Sequence, residues 1–276
     1  MHNAAKLPKI TLLCLLFFVL VLMIFPFLVM LSTALRPLPE LFKYPPTWLP
    51  QTWSWRNFVD IWSHVPMAHF MLNSLIVSGG ATALNLIVSI PAAYAIARLN
   101  FPGKTFFKNI VLYTQMFSPI ILILGLFKTM AKLDLLNSHI SLIVTYGALS
   151  LAFSIWFLTS FFRSIPEEIE EAAKIDGCSN LGILYHVVIP LSLPGLVATT
   201  LFAFIWSWND FLIALTFLST PLMQTLPLGI YAFVGQFIVQ WNYLMAGAII
   251  TTIPVLLMFL YIEKFLIRGL TSGAVK

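Results

Sequence analysis

Residues 10–35 read ITLLCLLFFVLVLMIFPFLVMLSTAL, a long apolar run without a charged residue. A bilayer core of about 30 Å is crossed by roughly 20 helical residues at a rise of about 1.5 Å each, so this run predicts a membrane-spanning helix. Lys6 and Lys9 precede it, as basic residues precede a secretory signal, but the run is longer than the about 7 to 15 residues of a signal core. We therefore expect an uncleaved first span.

The remaining chain has the same character. The 276 residues are 60% hydrophobic and only 9% charged, whereas soluble domains carry roughly 25% charged residues. The apolar runs are long and continuous rather than short and alternating, which predicts helices, because every backbone group in lipid needs a partner within its own segment. We expect an all-α integral membrane protein with a single transmembrane domain over residues 1–276, a loop at 163–190 and a tail at 263–276. The six predicted spans lie near residues 10–35, 70–97, 110–127, 140–162, 191–218 and 244–262.

The basic residues predict the orientation, because Lys and Arg concentrate in short cytoplasmic loops. With the N-terminus inside, ten of the 15 basic residues are cytoplasmic and five are outside, so both termini are expected in the cytoplasm. A seventh span within residues 211–261 would reverse the last three of them, and six spans are therefore preferred. The net charge of +5 follows from this distribution, and the absence of a dense basic run excludes a nucleic-acid partner.

Residues 170–177, EEAAKIDG, form a charged island between two apolar runs and must face water. Ser164, Pro166 and Glu167 have the spacing of a helix start, with a Ser cap, Pro in the first turn and Glu three residues after Ser. Gly177 is expected to end this helix in the left-handed conformation. A second short helix is expected over about residues 179–188.

The helix has a shallow side on which another protein backbone would fit. Glu170 and Lys174 are expected to form an i,i+4 pair worth about 0.3 to 0.5 kcal/mol on another side. The alternative is an amphipathic helix on the lipid surface, but such helices usually have a basic polar face, and acids outnumber bases here. Docking on a partner protein is therefore favoured. The residues expected on the docking side are Ile165, Ile169, Ala172, Ala173 and Asp176.

The island resembles the cytoplasmic loop of inner-membrane permeases of bacterial ABC importers, in which Glu-Ala-Ala is followed after three residues by Gly and later by Ile-x-Leu-Pro. Residues 171–177, EAAKIDG, match, whereas residues 187–190 read VVIP and lack the Leu of the family pattern. In that family the loop sits in a cleft of the ATPase. The resemblance therefore implies these coupling residues: Glu171, Ala172, Ala173, Asp176, Gly177, Ile189 and Pro190.

Further stretches resemble the carbohydrate-uptake branch of this family, in particular permeases similar to the smaller membrane subunit of the maltose transporter. They are residues 91–98 (PAAYAIAR) with 103–104, 208–211 (WNDF), 269–276 (GLTSGAVK) and 73–74. The resemblance implies a multi-pass protein of the bacterial inner membrane with the type I importer fold. It implies as partners a second homologous permease, two copies of a cytoplasmic ATPase and an extracytoplasmic sugar-binding protein, besides membrane lipid. By the same resemblance, the tail residues near the ATPase are Gly273, Ala274, Val275 and Lys276.

The sequence carries no catalytic motif. A G-x-x-x-x-G-K-[ST] loop, which cradles phosphates, is absent, and the five His residues have no metal-ligand spacing. We expect a non-catalytic subunit without a cofactor or metal of its own. The resemblance implies that ATP and Mg²⁺ bind to the partner ATPase.

Asp210 is the one acid within an otherwise apolar span, which makes it a functional candidate. About twenty helical residues after Pro190 place it roughly 30 Å along the helix, near the outer boundary, which disfavours a proton relay. Two interpretations stay open: a structural hydrogen bond at a helix end together with Asn209, or a place in the outer pathway. The amides of Gln224, Gln236 and Gln240 suit a neutral polyol, and we expect them to contact the sugar or its binding protein.

The leading hypothesis is a permease subunit of an ATP-driven carbohydrate importer, forming half of the translocation path and coupling ATPase closure to alternating access. An ion-coupled secondary transporter is the first alternative, and it requires mid-membrane ionisable residues or broken helices at an ion site. The second alternative is a membrane anchor that does not transport.

Overall fold

The computed structural model describes residues 9–272, with side chains up to Glu263. The four tail residues predicted to lie near the ATPase, Gly273, Ala274, Val275 and Lys276, are outside the described residues. Within the described range the chain is helical, and its only strand-like pairing is an isolated antiparallel bridge between Val234 and Val239. The predicted all-α fold class is confirmed.

The helices of residues 9–272 differ greatly in length. A π-helical turn, Leu184–Val188, joins the ninth and tenth, and 3₁₀ turns occupy Pro221–Met223 and Tyr231–Phe233. In chain order the α-helices are α1 (Lys9–Ala34), α2 (Leu38–Leu41), α3 (Asn57–His64), α4 (Met67–Arg98), α5 (Lys104–Thr114), α6 (Pro119–Lys132), α7 (His139–Ser164), α8 (Glu167–Ile175), α9 (Asn180–Ile183), α10 (Ile189–Leu191), α11 (Leu193–Asn209), α12 (Leu212–Phe217), α13 (Leu226–Ile230) and α14 (Trp241–Ser272).

Four helices of the described chain, α1, α4, α7 and α14, are long and apolar enough to cross a membrane. Two further pairs of helices are long and apolar enough to cross a membrane only when the two helices of each pair are counted together. The pair α5 and α6 is bent by 103°, and the segment Asn180–Leu191 is bent by 83° from α11. Counting each bent pair as one span gives six, the number of spans that the sequence predicts. The bounds differ, because the second pair includes part of the loop at 163–190.

The predicted third span, near 110–127, is divided between two helices. α5 ends at Thr114 and α6 begins at Pro119. Proline has no N–H and restricts the residue before it to extended backbone, which Ser118 adopts with φ −66° and ψ 131°. The extended backbone of Ser118 interrupts the helix here.

The predicted fifth span, 191–218, is also divided. α11 ends at Asn209, Asp210 is extended with φ −69° and ψ 134°, and the short helix α12 follows. The prediction of one continuous helix was based on the length of the apolar run, which does not indicate this interruption.

The described chain separates into two compact units. The larger one takes residues 66–229 and the chain after 253, and its centre is the packing of α4 against α7, with α11 against both. The α4–α7 contact includes small residues that allow close approach, as is usual between membrane helices. Asn85 donates to Ser150 Oγ at 2.8 Å, and a Cβ on Gly147 would lie 2.9 Å from Leu84 Cδ2.

The smaller unit takes residues 9–65 and 230–252. Asn57 at the start of α3 holds it together, because its amide donates to the carbonyls of Ala34 at 2.7 Å and Arg36 at 2.8 Å. Asn242 donates to Asn57 Oδ1 at 3.2 Å. The side chains of residues 9–29 are exposed in the isolated chain, so α1 offers an almost wholly apolar surface to lipid or to another subunit.

Glu40 is a buried acid in the smaller unit. Its carboxylate accepts from the Gln51 N–H at 2.8 Å and from Thr52 Oγ1 at 2.8 Å. The Gln51 hydrogen bond is the main cause that lowers the pKa of Glu40 below its ordinary value of 4.5; burial opposes it, whereas Thr52 and the nearby Arg36 assist it. The turn at 50–52 is thereby tied to α2.

Candidate functional site

The charged island forms the helix α8, but it starts differently from the prediction. Ser164 is the last residue of α7 and donates to the Phe161 carbonyl at 2.7 Å, so the predicted Ser cap is wrong. Pro166 has extended backbone and precedes α8 without a side-chain cap, because proline also forces Ile165 out of the helical region. Three acids, Glu167, Glu168 and Glu170, then fall in the first turn of α8, where the helix dipole favours negative charge.

The predicted left-handed end at Gly177 is confirmed, with φ +86°. Gly177 N–H donates to the Lys174 carbonyl at 3.0 Å, and Cys178 N–H donates to the Ala173 carbonyl at 3.0 Å. These two bonds form a Schellman motif. A Cβ on Gly177 would meet nothing within 4 Å, so glycine is required by the backbone conformation and not by space.

The second short helix is also confirmed. Ser179 Oγ accepts from the Gly182 N–H at 3.2 Å and caps α9. The chain then continues through the π-helical turn into α10, which contains Ile189 and Pro190. Ile189 packs at the edge of an apolar cluster formed by the loop with α4, α7 and α11, and Pro190 is exposed. The buried members of this cluster are Ala93, Tyr94, Leu158, Phe162, Ile165, Ile183, Leu184, Val188 and Leu196.

A buried ion pair attaches α8 to the membrane helices. Arg98, at the end of α4, donates from Nε to Glu170 Oε1 at 2.6 Å. Its Nη2 donates to the carbonyls of Phe162 at 2.7 Å and Ile165 at 2.6 Å, and Tyr94 OH donates to Glu170 Oε2 at 3.3 Å. The side chains of Arg98 and Glu170 are only 9% and 4% exposed. One guanidinium therefore joins the ends of α4 and α7 to the first turn of α8.

This ion pair corrects the expectation for Glu170. The predicted partner was Lys174, one turn along the same helix, but Glu170 points inward to Arg98. Arg98 and Glu170 are separated by 72 residues in sequence, so no local pattern indicated their contact. The nearest signal was the matching stretch 91–98, which ends on Arg98.

The predicted docking side of the helix is divided between core and surface. Ile165 is buried and Ala173 packs against the apolar cluster, whereas Ile169, Ala172 and Asp176 are exposed. The exposed side is more apolar than expected, because several large side chains of the loop point outward. We call these exposed residues the loop patch: Ile169 (42% exposed), Ile175 (86%), Leu181 (65%) and Tyr185 (63%).

Ile175, Leu181 and Tyr185 were not among the residues predicted for the docking side. The signal was present, since apolar residues within a water-facing charged segment are unexpected unless they contact a partner. Among the described residues, no group of three or more His, Cys, Asp or Glu is arranged to hold a metal ion.

Asp210 lies at the boundary between α11 and α12. Its Oδ1 accepts from Tyr146 OH at 2.8 Å and from the backbone N–H groups of Ile213 at 3.0 Å and Ala214 at 3.4 Å. These bonds cap α12 and tie it to α7, which agrees with a structural role at a helix end. Asn209 and Asp210 also line a cavity of about 580 Å³, so a place in the pathway stays a prediction.

The three predicted glutamines fall in different units. Gln224 belongs to the larger unit, where its backbone carbonyl accepts from the side-chain amide of Asn73 at 2.9 Å. Gln236 and Gln240 belong to the smaller unit, with Gln236 exposed in the turn closed by the 234–239 bridge. Their grouping into one contact surface stays a prediction.

The helical membrane architecture and the anchored loop together define a transport-permease class of protein, and comparison with known proteins identifies the family. Residues 85–272 match the family model described as "Binding-protein-dependent transport system inner membrane component". The chain belongs to this family.

Two relatives cover almost the whole chain. The sulfoquinovosyl glycerol transport system permease protein SmoH of Agrobacterium fabrum is 37% identical over 253 residues, which are 92% of this chain and 89% of that protein. The trehalose/maltose transport system permease protein MalG of Thermococcus litoralis is 35% identical over 260 residues, 93% of this chain and 92% of that protein.

A solved structure shares the fold. It is the crystal structure of a bacterial ABC transporter involved in the import of the acidic polysaccharide alginate, with a TM-score of 0.81 and 22% identity, covering 96% of this chain and 98% of that chain. The fold is therefore that of a type I ABC importer permease.

Proposed function

We propose that this chain is the permease subunit of an ATP-driven carbohydrate importer of the bacterial inner membrane. The observation that carries the proposal is the loop at 163–190, which presents an exposed apolar patch while a buried ion pair attaches it to α4 and α7. Family membership and the sugars named for its relatives support the same function.

The coupling mechanism follows from this attachment. A cytoplasmic ATPase docks on the loop patch, and Glu171, Ala172, Asp176 and Gly177 lie on or beside the docking helix. When the ATPase pair closes, α8 moves with it. Arg98 and the apolar cluster then transmit the displacement to α4, α7 and α11 instead of allowing the loop to bend alone.

The remaining partners follow from the proposed half-pore. A second homologous permease completes the path, two ATPase copies bind ATP and Mg²⁺, and a sugar-binding protein delivers the substrate outside. Both termini lie in the cytoplasm, and this subunit performs no chemistry of its own. Gln224, Gln236 and Gln240 contact the sugar or its carrier, and the four tail residues from Gly273 to Lys276 lie near the ATPase.

Two observations bear on the ion-coupled alternative. The bent pairs are broken helices of the kind that such transporters use. However, the hydrogen bonds to Asp210 Oδ1 come from Tyr146 and two backbone amides, which cap a helix and do not form an ion site. A non-transporting anchor would explain the loop but not the cavity that Asn209 and Asp210 line.

Reconstitution tests the proposal. The chain, its partner permease and the ATPase are placed in liposomes with the loaded binding protein, and uptake of radiolabelled maltose and trehalose is measured with and without ATP. We expect uptake only with ATP and with all subunits, unaffected by ionophores. Uptake by this chain alone that follows an ion gradient would contradict the proposal.

A further inference from the structure

Two adjoining cavities of the larger unit lie where the bent helices are interrupted. The first, of about 580 Å³, is lined by Pro119 at the start of α6, by Phe202 and Trp206 on α11, and by Asn209 and Asp210 at its end. The second, of about 220 Å³, shares Pro119, Phe202 and Trp206 with the first. The volume of the first falls in the range of about 300 to 1,000 Å³ that is usual for small-molecule sites.

One wall of the cavities is aromatic and firmly packed. Trp206 meets Tyr146 edge to face, with ring centroids 5.7 Å apart and an angle of 85°. Phe202 contacts Phe153 with centroids 3.8 Å apart. Trp206 is only half-buried, so part of the indole remains open to the cavities. Such a ring offers an apolar face to the C–H side of a pyranose at little cost in side-chain entropy.

Polar hydrogen-bonding groups lie at the end of α11. The three hydrogen bonds given above for Asp210 go to Oδ1, and the second carboxylate oxygen, Oδ2, is also an acceptor for a hydroxyl group. A carboxylate oxygen is a strong acceptor for such a donor. The Asn209 side chain is exposed beside it and supplies both a donor and an acceptor.

The charge of the lining distinguishes among sugars. The residues that line the two cavities, all within the described chain, include no Lys, Arg or His. A sulfonated or uronic sugar would therefore find a carboxylate and no cation. A neutral sugar carries no negative charge that the carboxylate of Asp210 would repel.

We infer that these cavities form a subsite for one neutral sugar ring on this half of the pathway, with the ring against Trp206 and its hydroxyls bound by Asn209 and Asp210. The inference rests on the proposed carbohydrate importer and adds the position and the charge class of the substrate.

The test uses the complete complex in liposomes with ATP inside and a saturating amount of loaded binding protein outside. The probes are radiolabelled maltose, trehalose and diacetylchitobiose, and the readouts are the maximal uptake rate and the sugar transported per ATP hydrolysed. For a sugar that the wild type carries, we expect Trp206→Ala to lower transport per ATP about twofold to tenfold and Trp206→Phe to retain most of it. Asn209→Ala should lower it about fivefold, the loss of one hydrogen bond.

Trp156→Ala is the matched control, because Trp156 is an exposed tryptophan of α7 that lines neither cavity. It should behave as the wild type. Unchanged transport per ATP in both Trp206→Ala and Asn209→Ala overturns the subsite while leaving the importer intact. Loss of the partner permease during purification of Trp206→Ala also overturns it, because the cavity is then a subunit contact. Uptake of a probe that needs no ATP and follows an ion gradient refutes the proposed function itself.

Discussion

At the scale of single residues, Arg98 has the largest structural role in the loop. Its guanidinium reaches one carboxylate and two carbonyls, a geometry that the five donors of Arg permit and the single ammonium of Lys does not. Removing one partner of a buried pair costs about 3 to 5 kcal/mol, because the other charge stays buried. Exposed pairs contribute at most about 1 kcal/mol.

Arg98 therefore allows a matched comparison of two acids. Glu170 is 4% exposed and Glu167 is 74% exposed, yet both pair with Arg98. We expect Glu170→Gln to lower the melting temperature of the assembled complex by about 5 °C or more and Glu167→Gln to change it by less than about 2 °C. Fluorescence-detected size exclusion after heating measures both. Equal shifts would show that the burial of Glu170 is irrelevant.

Single residues also show which contacts can be predicted from local sequence spacing and which cannot. The helix end at Gly177 was predicted correctly because its signal is local, whereas the coupling roles of Glu171 and Ala172 stay predictions. Glu170 was assigned to Lys174, since the i,i+4 rule considers only one helix. Its actual partner is brought close by the packing of α4 against α7, which has no local period in the sequence.

At the scale of elements, interruptions divide two of the predicted spans into separate helices. The break at Ser118 lies directly before Pro119, but Pro26, Pro91 and Pro254 lie inside long helices, so proline alone does not mark a break in the sequence. The break at Asp210 had a weaker signal, an acid that caps the following helix. Hydropathy alone predicted continuous spans in both places, because it counts apolar residues and does not register backbone geometry.

Gly177 and Gly103 form a natural pair for testing the loop. Both have positive φ, +86° and +85°, and a Cβ on either would meet nothing within 4 Å. Val in the left-handed region costs at least about 1 to 2 kcal/mol, whereas Asn tolerates it. We expect Gly177→Val to abolish most of the ATPase stimulation by the loaded binding protein and Gly177→Asn to preserve it.

Gly103→Val is the control, since it imposes the same backbone strain at the start of α5. It should destabilise the protein to a similar extent but leave stimulation intact. Equal losses of stimulation in Gly177→Val and Gly103→Val would mean that strain, and not the geometry of the loop, limits coupling.

Glu40 predicts a pH dependence of the segment 38–52. Because its pKa is lowered in the folded protein, its contribution to stability is complete above its ordinary value of 4.5 and is lost as the pH falls through the lowered value. Hydrogen exchange of this segment, corrected for intrinsic rates, should therefore accelerate below pH 4.5. Glu40→Gln should exchange faster at pH 7 and lose that acid-dependent step. Identical pH profiles of variant and wild type would contradict the assignment.

At the scale of the whole molecule, the exposed apolar surface is typical of a subunit of a larger complex and not of a protein that acts alone. The helix α1 is exposed along most of its length, and the loop patch lies open at the end of the larger unit's helices. The fold class, the family and the helix of the charged island were predictable, because composition and a local motif indicate them. The coupling role of the loop stays a prediction. The anchoring pair and the cavities depend on contacts between distant segments, and only the structure revealed them.

The most direct measurement of the central claim is ATP hydrolysis stimulated by the sugar-loaded binding protein, in complexes that contain Ile175→Asp or Leu133→Asp. Ile175 is 86% exposed in the loop patch, and Leu133, at the end of α6 and not part of the loop at 163–190, is 59% exposed. A charge at the centre of an apolar contact should cost at least about 2 kcal/mol. We predict that Ile175→Asp lowers stimulation or ATPase retention at least about tenfold while Leu133→Asp matches the wild type. Wild-type stimulation with Ile175→Asp would contradict docking of the ATPase on this loop.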